Sequence, residues 1–453
     1  STITNIPQDH IFSILLLLPT ESILCFAMTC KKSRSLAYSD ALWESICRRD
    51  WGQEPVDALR ASSSNPRHLQ QLPWMKLYLQ VRRLDSVFCR RLLSEEDEIL
   101  PNPRASHSLN LVSGFFVLFG GGCEGGQHLD DTWAAYVGDD VFRRTTLPWQ
   151  KVNSGVPSGR FGHSCVVLGG DSLVLFGGIN DRGLRRNDTW IGKVTLDETL
   201  GIVALSWSLL EVGCSGGGSL PPARGAHAGC SLDGRRMLIH GGIGPSGVRL
   251  NDTWLLHLSD DLRFGWWTEL STPKRPPPRS GHTLTHIGGA QTILFGGRGG
   301  LYQVLDDVWL LDSSHGRWEW LQLLFELRSI PHGFSLPRVG HTANLIVGRR
   351  LLIYGGEDSY RHRKDDVWIL DAMNSASASS SSAVAGGRRK MWRRVELRGS
   401  RPMCRSFHAA CADASGQFVY VHGGMVDGLV KPVDSSGLRF DAEGFLVELL
   451  PLQ

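Results

Sequence analysis

None of the ten cysteines forms a Cys-x-x-Cys pair, and no cysteine–histidine quartet is closely spaced. That argues against a structural zinc site or a dithiol redox centre. A chain of 453 residues has core enough to do without disulfides, so the scattered thiols read as reduced, in cytosol or nucleus. Charge of one sign is lacking too: 48 basic and 45 acidic residues leave a net +3, with no general case for nucleic acid or membrane as partner. The longest apolar candidate, residues 11–28, is broken by Pro19, Thr20, Glu21 and Ser22 and reads as soluble helix, not as a signal or anchor. There is no Gly-x-Ser-x-Gly elbow, no phosphate-binding Gly-rich Lys loop and no paired-carboxylate signature. No cofactor and no metal are expected.

Glycine (52) and tryptophan (15) are abundant, and both recur in register. Arg-x-x-His falls at Arg104/His107, Arg160/His163, Arg224/His227, Arg279/His282, Arg338/His341 and Arg405/His408. A glycine pair follows at Gly120, Gly177, Gly241, Gly296, Gly355 and Gly423. Thirteen residues after the first glycine stands Trp133, Trp190, Trp254, Trp309 or Trp368; the sixth copy has Gly437-Leu-Arg-Phe-Asp441 instead of Asp-x-Trp. Copies 55 to 67 residues apart by their histidines define a repeat. Each predicts four short strands: A after Arg-x-x-His, B ending in Gly-Gly, C carrying Asp-x-Trp, and D carrying a last tryptophan such as Trp267. One such sheet cannot hide both faces, but a closed ring can, so a six-bladed β-propeller is expected over residues 85–453. Its sixth blade ends either in residues 445–450 or in residues 86–92, which would join the two chain ends in one blade. Residues 213–222 and the Ser/Ala-rich 375–387 read as surface loops, the latter disordered. The basic residues around Trp392 read as a charged outer strand with one inward tryptophan rather than as a nuclear signal.

Ahead of the repeats lies a helical cluster, residues 1–52, and a connector, residues 53–84. Ile11, Ile14, Leu15 and Leu18 make an i, i+3, i+4, i+7 stripe, Pro7 suits its first turn and Pro19 stops it. Thr20 and Asp40 can cap later helices, the last carrying Leu42, Trp43 and Ile46. So small a module, apolar on more than one side, is expected to bury surface against a partner. In the connector Trp74, Leu77, Tyr78 and Val81 share one helical face.

Ile6-Pro7-x-Asp9, Leu18-Pro19, Ser22-Ile23-Leu24, Cys30-Lys31 and Leu42-Trp43 resemble the F-box motif in order and spacing, with Ser33 where a tryptophan is usual. The period, the Gly-Gly and the spaced Trp resemble the kelch repeat. The chain is thus similar to plant F-box/kelch proteins: mainly β, a six-bladed kelch β-propeller preceded by a small all-α F-box domain. Some of those proteins carry a flavin-binding light-sensing domain; no segment here is available for one, so no flavin is implied. The resemblance implies substrate recognition in a Skp–cullin–F-box ubiquitin ligase of nucleus or cytoplasm, a non-catalytic role that supplies proximity. Ile6, Pro7, Ile11, Leu15, Leu18, Pro19 and Leu24 would dock a Skp-family adaptor, and the propeller would hold the target protein. A non-ligase scaffold, or a propeller enzyme with an unrecognised pocket, are the alternatives.

The recurring histidines invite a metal reading, but a residue repeated once per blade fits a structural hydrogen bond within each sheet, whereas metal ligands converge from unlike positions. The arginines leave two readings open. Arg104, Arg160, Arg224, Arg279, Arg338 and Arg405, at the D–A connections, could grip a target's carboxylates or phosphates around one mouth, with Phe161, Phe407 and residues 323–337 adding apolar contacts. In kelch proteins that face often binds the target. Or each Arg could pair with a neighbouring blade's Asp and only brace the ring.

Overall fold

Prolines punctuate the first helices. In the computed structural model, which describes residues 6–62, 72–93, 99–137, 146–197, 202–214, 219–326, 334–372, 390–427 and 438–450, α1 (Gln8–Leu17) follows Pro7 and α2 (Thr20–Ala27) follows Pro19. Proline has no N–H to give, so it fits just ahead of a helix and not inside one. In α3 (Lys31–Ala37) Ser33 is buried, its Oγ 3.1 Å from Cys30 Sγ, which fills the place of the usual tryptophan with a local cap. α4 (Asp40–Trp51) carries the module's core: the Trp43 indole donates to Ala37 O at 2.7 Å, and Trp51 stacks on Tyr78 at 5.5 Å. α5 (Gln53–Ser62) and α6 (Trp74–Arg82) complete the helices. Asp40, expected to cap α4, instead accepts the Trp74 N–H at 2.6 Å and caps α6, while Thr20 accepts from Arg82 Nη1 at 2.7 Å.

Six blades follow, the four strands within each antiparallel and ordered A to D from the axis outward. In the fourth blade the strands are Thr283–His286, Gln291–Phe295, Val308–Asp312 and Glu319–Leu323, as the repeat predicts. Strand B is the most deeply buried: Phe115–Phe119, Ser172–Phe176 and Arg350–Tyr354 are buried throughout. The sixth blade is completed by Ser86–Leu92, antiparallel to Leu438–Glu448. Residues 445–448 belong to that third strand, so the alternative closure fails. The same N-terminal strand also runs parallel to Trp392–Gly399, the outer strand of blade five, and Leu93 bridges Thr146 ahead of blade one's outer strand. One segment therefore stitches three blades. A comparable bond joins Glu211–Cys214, just after blade two's outer strand, to Phe264–Glu269 of blade three, so the 213–222 loop begins as strand. Residues 375–387 lie outside the described residues; Trp392 does point inward, packing on Phe295 and Trp368.

The helical module sits on the A–B end of the ring. Trp51, Glu54 and Pro55 face an axial cavity of about 530 Å³ whose other walls are the inner strands of all six blades. Arg350 donates to Val81 O, and Arg393 Nη1 to Arg82 O at 3.0 Å. One continuous core runs from Leu15 and Trp43 through Val81 and Leu84 to Val347, Val395 and Val419. The D–A and B–C connections emerge at the opposite end. Among the described residues no helix is long and apolar enough to cross a membrane.

Candidate functional site

Each recurring arginine is folded into its own blade. Arg279 donates from Nη1 to Gly296 O (3.0 Å) and Asp307 Oδ1 (2.7 Å), from Nη2 to Asp307 Oδ2 (2.7 Å), and from Nε to Pro277 O (3.0 Å). Asp307 also accepts the Trp309 indole N–H at 2.7 Å. The same triad joins Arg104, Asp131 and Trp133; Arg160, Asp188 and Trp190; Arg224, Asp252 and Trp254; Arg338, Asp366 and Trp368. In the sixth blade Arg405 lies 3.0 Å from Asp441 and over the Phe445 ring. All six arginines are 0% exposed. The expectation that Arg104, Arg160, Arg224, Arg279, Arg338 and Arg405 grip a target is thereby corrected: every fork is spent inside the protein, on its own blade's aspartate rather than a neighbour's. Burial alone would raise the pKa of Asp131, Asp188 and Asp252, yet hydrogen bonds and charge from the arginines hold these carboxyls below their ordinary value.

The link to the next blade is backbone. Gly297 N–H donates to Arg338 O at 2.9 Å, and Gly296, at φ +67°, passes so close that a Cβ would stand 2.8 Å from that same oxygen. Only glycine fits there.

The histidines bond between blades, not within each sheet as expected. His163 meets Ser108 Oγ at 3.0 Å, His227 meets Ser164 Oγ at 2.7 Å, His341 meets Thr283 Oγ1 at 3.0 Å and His408 meets Thr342 Oγ1 at 3.0 Å. The partner is always the residue after the preceding blade's histidine. Where that residue is Ala409, His107 turns to His422 Nδ1 at 3.2 Å; where it is Ala228, neither ring nitrogen of His282 has a hydrogen-bond partner. Among the described residues no group of three His, Cys, Asp or Glu is placed to hold a metal.

Burial, aided by nearby arginines, keeps these rings neutral. It lowers His163, His240, His408 and His422 to about 3, and His107, His227, His282 and His341 well below the ordinary value. The unfolded chain accepts those protons once pH falls through about 6.5, while the native state refuses them until about 3 at His163, His240, His408 and His422 and until well below the ordinary value at the other four. Stability present above about pH 6.5 is therefore lost on acidification, by up to about 1.4 kcal/mol per pH unit for each ring. Melting curves between pH 7.5 and 5 are expected to shift steeply downward, with at least about four protons taken up on unfolding at the acid end. A melting temperature flat across that range would refute this.

At the D–A end the second residue after each arginine joins a closed ring of hydrogen bonds. Ser106 N–H donates to Phe407 O (2.7 Å), Gly162 to Ser106 (2.9 Å), Ala226 to Gly162 (2.7 Å), Gly281 to Ala226 (2.8 Å), Gly340 to Gly281 (2.9 Å) and Phe407 to Gly340 (2.6 Å). All six have positive φ, from 53° to 68°. Five carry small side chains or none; the sixth, Phe407, lays its ring over Gly340, where a Cβ would stand 2.9 Å away. Phe407 therefore lies at the axial mouth, and Phe161, next to Gly162 in blade two, packs on His128 at 4.7 Å and pairs with Ile179. Both are half-buried. Sequence reasoning missed the charged cluster next to Phe407. Glu357 accepts from Arg298 (3.2 Å) and Ser406 Oγ (3.2 Å), and Arg363 bonds Ser406 Oγ (3.1 Å) and Asp427. The signal was there: the B–C loops change sign from copy to copy while their frames repeat.

On the helical module the expected adaptor residues divide. Leu15 is 1% exposed and belongs to the module's own core, which removes it from any docking patch. Ile11, Leu18 and Leu24 are half-buried against that core, Ile6 is half-buried, and Pro7 and Pro19 are exposed. The large apolar side chains left outside are Leu17 (85% exposed), Met28 (79%), Ile14 and Tyr38. The last turn of α1, residues 14–17, is apolar on every side, so the stripe did not say which side turns inward.

A six-bladed propeller fused to a helical module that leaves leucine and methionine in solvent is the build of a substrate-recognition adaptor. Comparisons with known proteins agree. Residues 3–49 match the F-box-like model, and residues 193–375 match the KLHDC2/KLHL20/DRC7 Kelch-repeats domain. An F-box/kelch-repeat protein of Arabidopsis thaliana is 53% identical, across 99% of this chain and 93% of its own length. Adagio-like protein 1 of Oryza sativa subsp. japonica is 30% identical over 91% of this chain, which spans only 60% of that longer relative. The solved structure of YjhT, 14% identical, covers 76% of this chain and 95% of its own with a TM-score of 0.51, a likeness of fold alone. The chain belongs to the F-box/kelch-repeat family, whose members are generally non-catalytic adaptors.

Proposed function

We propose that this chain is the substrate-recognition subunit of a Skp–cullin–F-box ubiquitin ligase. Its F-box docks a Skp-family adaptor through Leu17, Ile14 and Met28, ringed by the half-buried Ile11, Leu18 and Leu24. The propeller presents the target at the D–A mouth around Phe161 and Phe407. The observation that carries this reading is the single core joining the two parts, with the exposed leucine and methionine on the helices and the mouth on the far side of the ring. Such a body holds a target at a fixed place relative to the adaptor, and catalysis is proximity to a separately recruited conjugating enzyme. The reading places the chain in the nucleus or cytoplasm. The double substitution Leu17→Asp/Met28→Asp is expected to abolish co-purification with a Skp-family adaptor while leaving the melting temperature unchanged. Leu15→Asp is unsuitable, because it puts a charge into the core. Full adaptor binding by the double variant would sink the proposal.

A further inference from the structure

The mouth is not evenly charged. Over blades four to six the acids and bases neutralise one another: Arg298 and Arg363 flank Glu357, and Arg363 also reaches Asp427. Over blades two and three the B–C loops carry Arg182, Arg185, Arg186 and Arg249 against Asp181 alone, because Asp188 and Asp252 are spent on Arg160 and Arg224. Arg186 reaches only to 3.7 Å of the committed Asp188. Arg185 gives Nη1 to Gly183 O at 2.8 Å, but its buried Nε has no partner. Arg249 is held in place by Ser280 Oγ at 3.0 Å and by the Tyr302 ring 4.6 Å below it, neither of which carries opposite charge. No carboxylate among the described residues pairs with Arg185 or Arg249, and Glu124 and Asp130 on the neighbouring blade-one loop make no ion pair with them. Between these arginines the loop tips expose Leu184 and Val248.

Ordered arginines without acids, interleaved with bare aliphatic side chains, are half of a complementary contact. Resting on the reading that this face binds the target, we propose that the sector over blades two and three recognises an acidic segment of the target. In it, Asp or Glu side chains pair with Arg185 and Arg249, and a bulky apolar side chain between them packs on Leu184 and Val248. Because the cationic loops stand at the solvent edge of the mouth, the contact weakens with salt.

The test uses the full chain bound to its adaptor and a phage-displayed random peptide library as probe. Selected peptides are expected to be acidic with Leu, Ile or Phe. Synthetic fluorescent copies are expected to lose about tenfold or more in affinity with Arg185→Glu/Arg249→Glu, and little with Arg361→Glu on the blade-five loop. Neutral or basic selected peptides that still lose affinity with Phe407→Ala would overturn the acidic class while leaving the face standing. Peptides indifferent to both the arginine pair and Phe407, in variants of unchanged melting temperature, would remove the face itself. A library that enriches nothing would overturn the proposal as well.

Discussion

A fragment beginning at Ile99 is expected not to fold as a free propeller, although it contains every Arg-x-x-His and every Gly-Gly. The missing outer strand of blade six is Ser86–Leu92, and its loss leaves the long strand Leu438–Glu448 with an unpaired edge and removes the parallel pairing to blade five. It also uncovers core, since Val87 and Cys89 are both 0% exposed. Burying a valine side chain alone is worth about 1.5–3 kcal/mol, and seven residues of ladder add to it, against a typical total stability of about 5–15 kcal/mol. A fragment from Leu84, which keeps the strand but lacks the helices, is expected to close but to melt lower, because Val347 and its neighbours lose their helical cover. Circular dichroism melts and size-exclusion profiles of the two fragments decide it. Should the shorter one melt within about 5 °C of the intact chain, the closing strand contributes nothing of the kind argued here.

The same strand marks where the sequence stops being legible. Blades one to five could be traced because each copy repeats the residues that build its frame: Arg, Asp and Trp share one buried hydrogen-bond cluster, so none can change alone. The sixth blade draws its fourth strand from more than 300 residues away in sequence, and no local pattern encodes that partner. Residues 86–92 and 445–450 are both strand-like segments, so the register was decided only by the ring. The arginines misled for a related reason. A guanidinium beside an axial mouth and one folded into a blade leave the same letter in the sequence; what separates them in blades one to five is the aspartate 27 or 28 positions later, which the Asp-x-Trp signature already contained. Leu15 and Leu17 show the limit within one helix. Both lie on an apolar surface, and only the packing of Trp43 and its neighbours tells which is core and which is free. The hydrogen-bonded ring at the mouth was marked just by Gly162, Gly281 and Gly340, since Ser106, Ala226 and Phe407 adopt the same positive φ without glycine's signature.

Arg279→Ala is expected to be the most damaging single substitution in the fourth blade, and to act on stability before any effect on binding. It removes a side chain with no exposed surface and leaves Asp307 with one remaining partner, the Trp309 indole. It also strips the donor from Gly296 O and Pro277 O. Breaking a buried pair by removing one member costs about 3–5 kcal/mol, because the charge left behind is uncompensated. Arg279→Lys should recover little of this, since one ammonium cannot span both carboxylate oxygens and two carbonyls in the plane of a guanidinium. Asp307→Asn is the useful contrast: it keeps the shape and one acceptor but leaves the arginine's charge unbalanced, so it too should destabilise strongly. If the double variant Arg279→Ala/Asp307→Ala is clearly more stable than the Arg279→Ala single variant, the loss came from the orphaned carboxylate rather than from the cavity. Urea unfolding of the four variants measures this. A denaturation midpoint for Arg279→Ala close to that of the unaltered protein would mean that the guanidinium is not part of the frame.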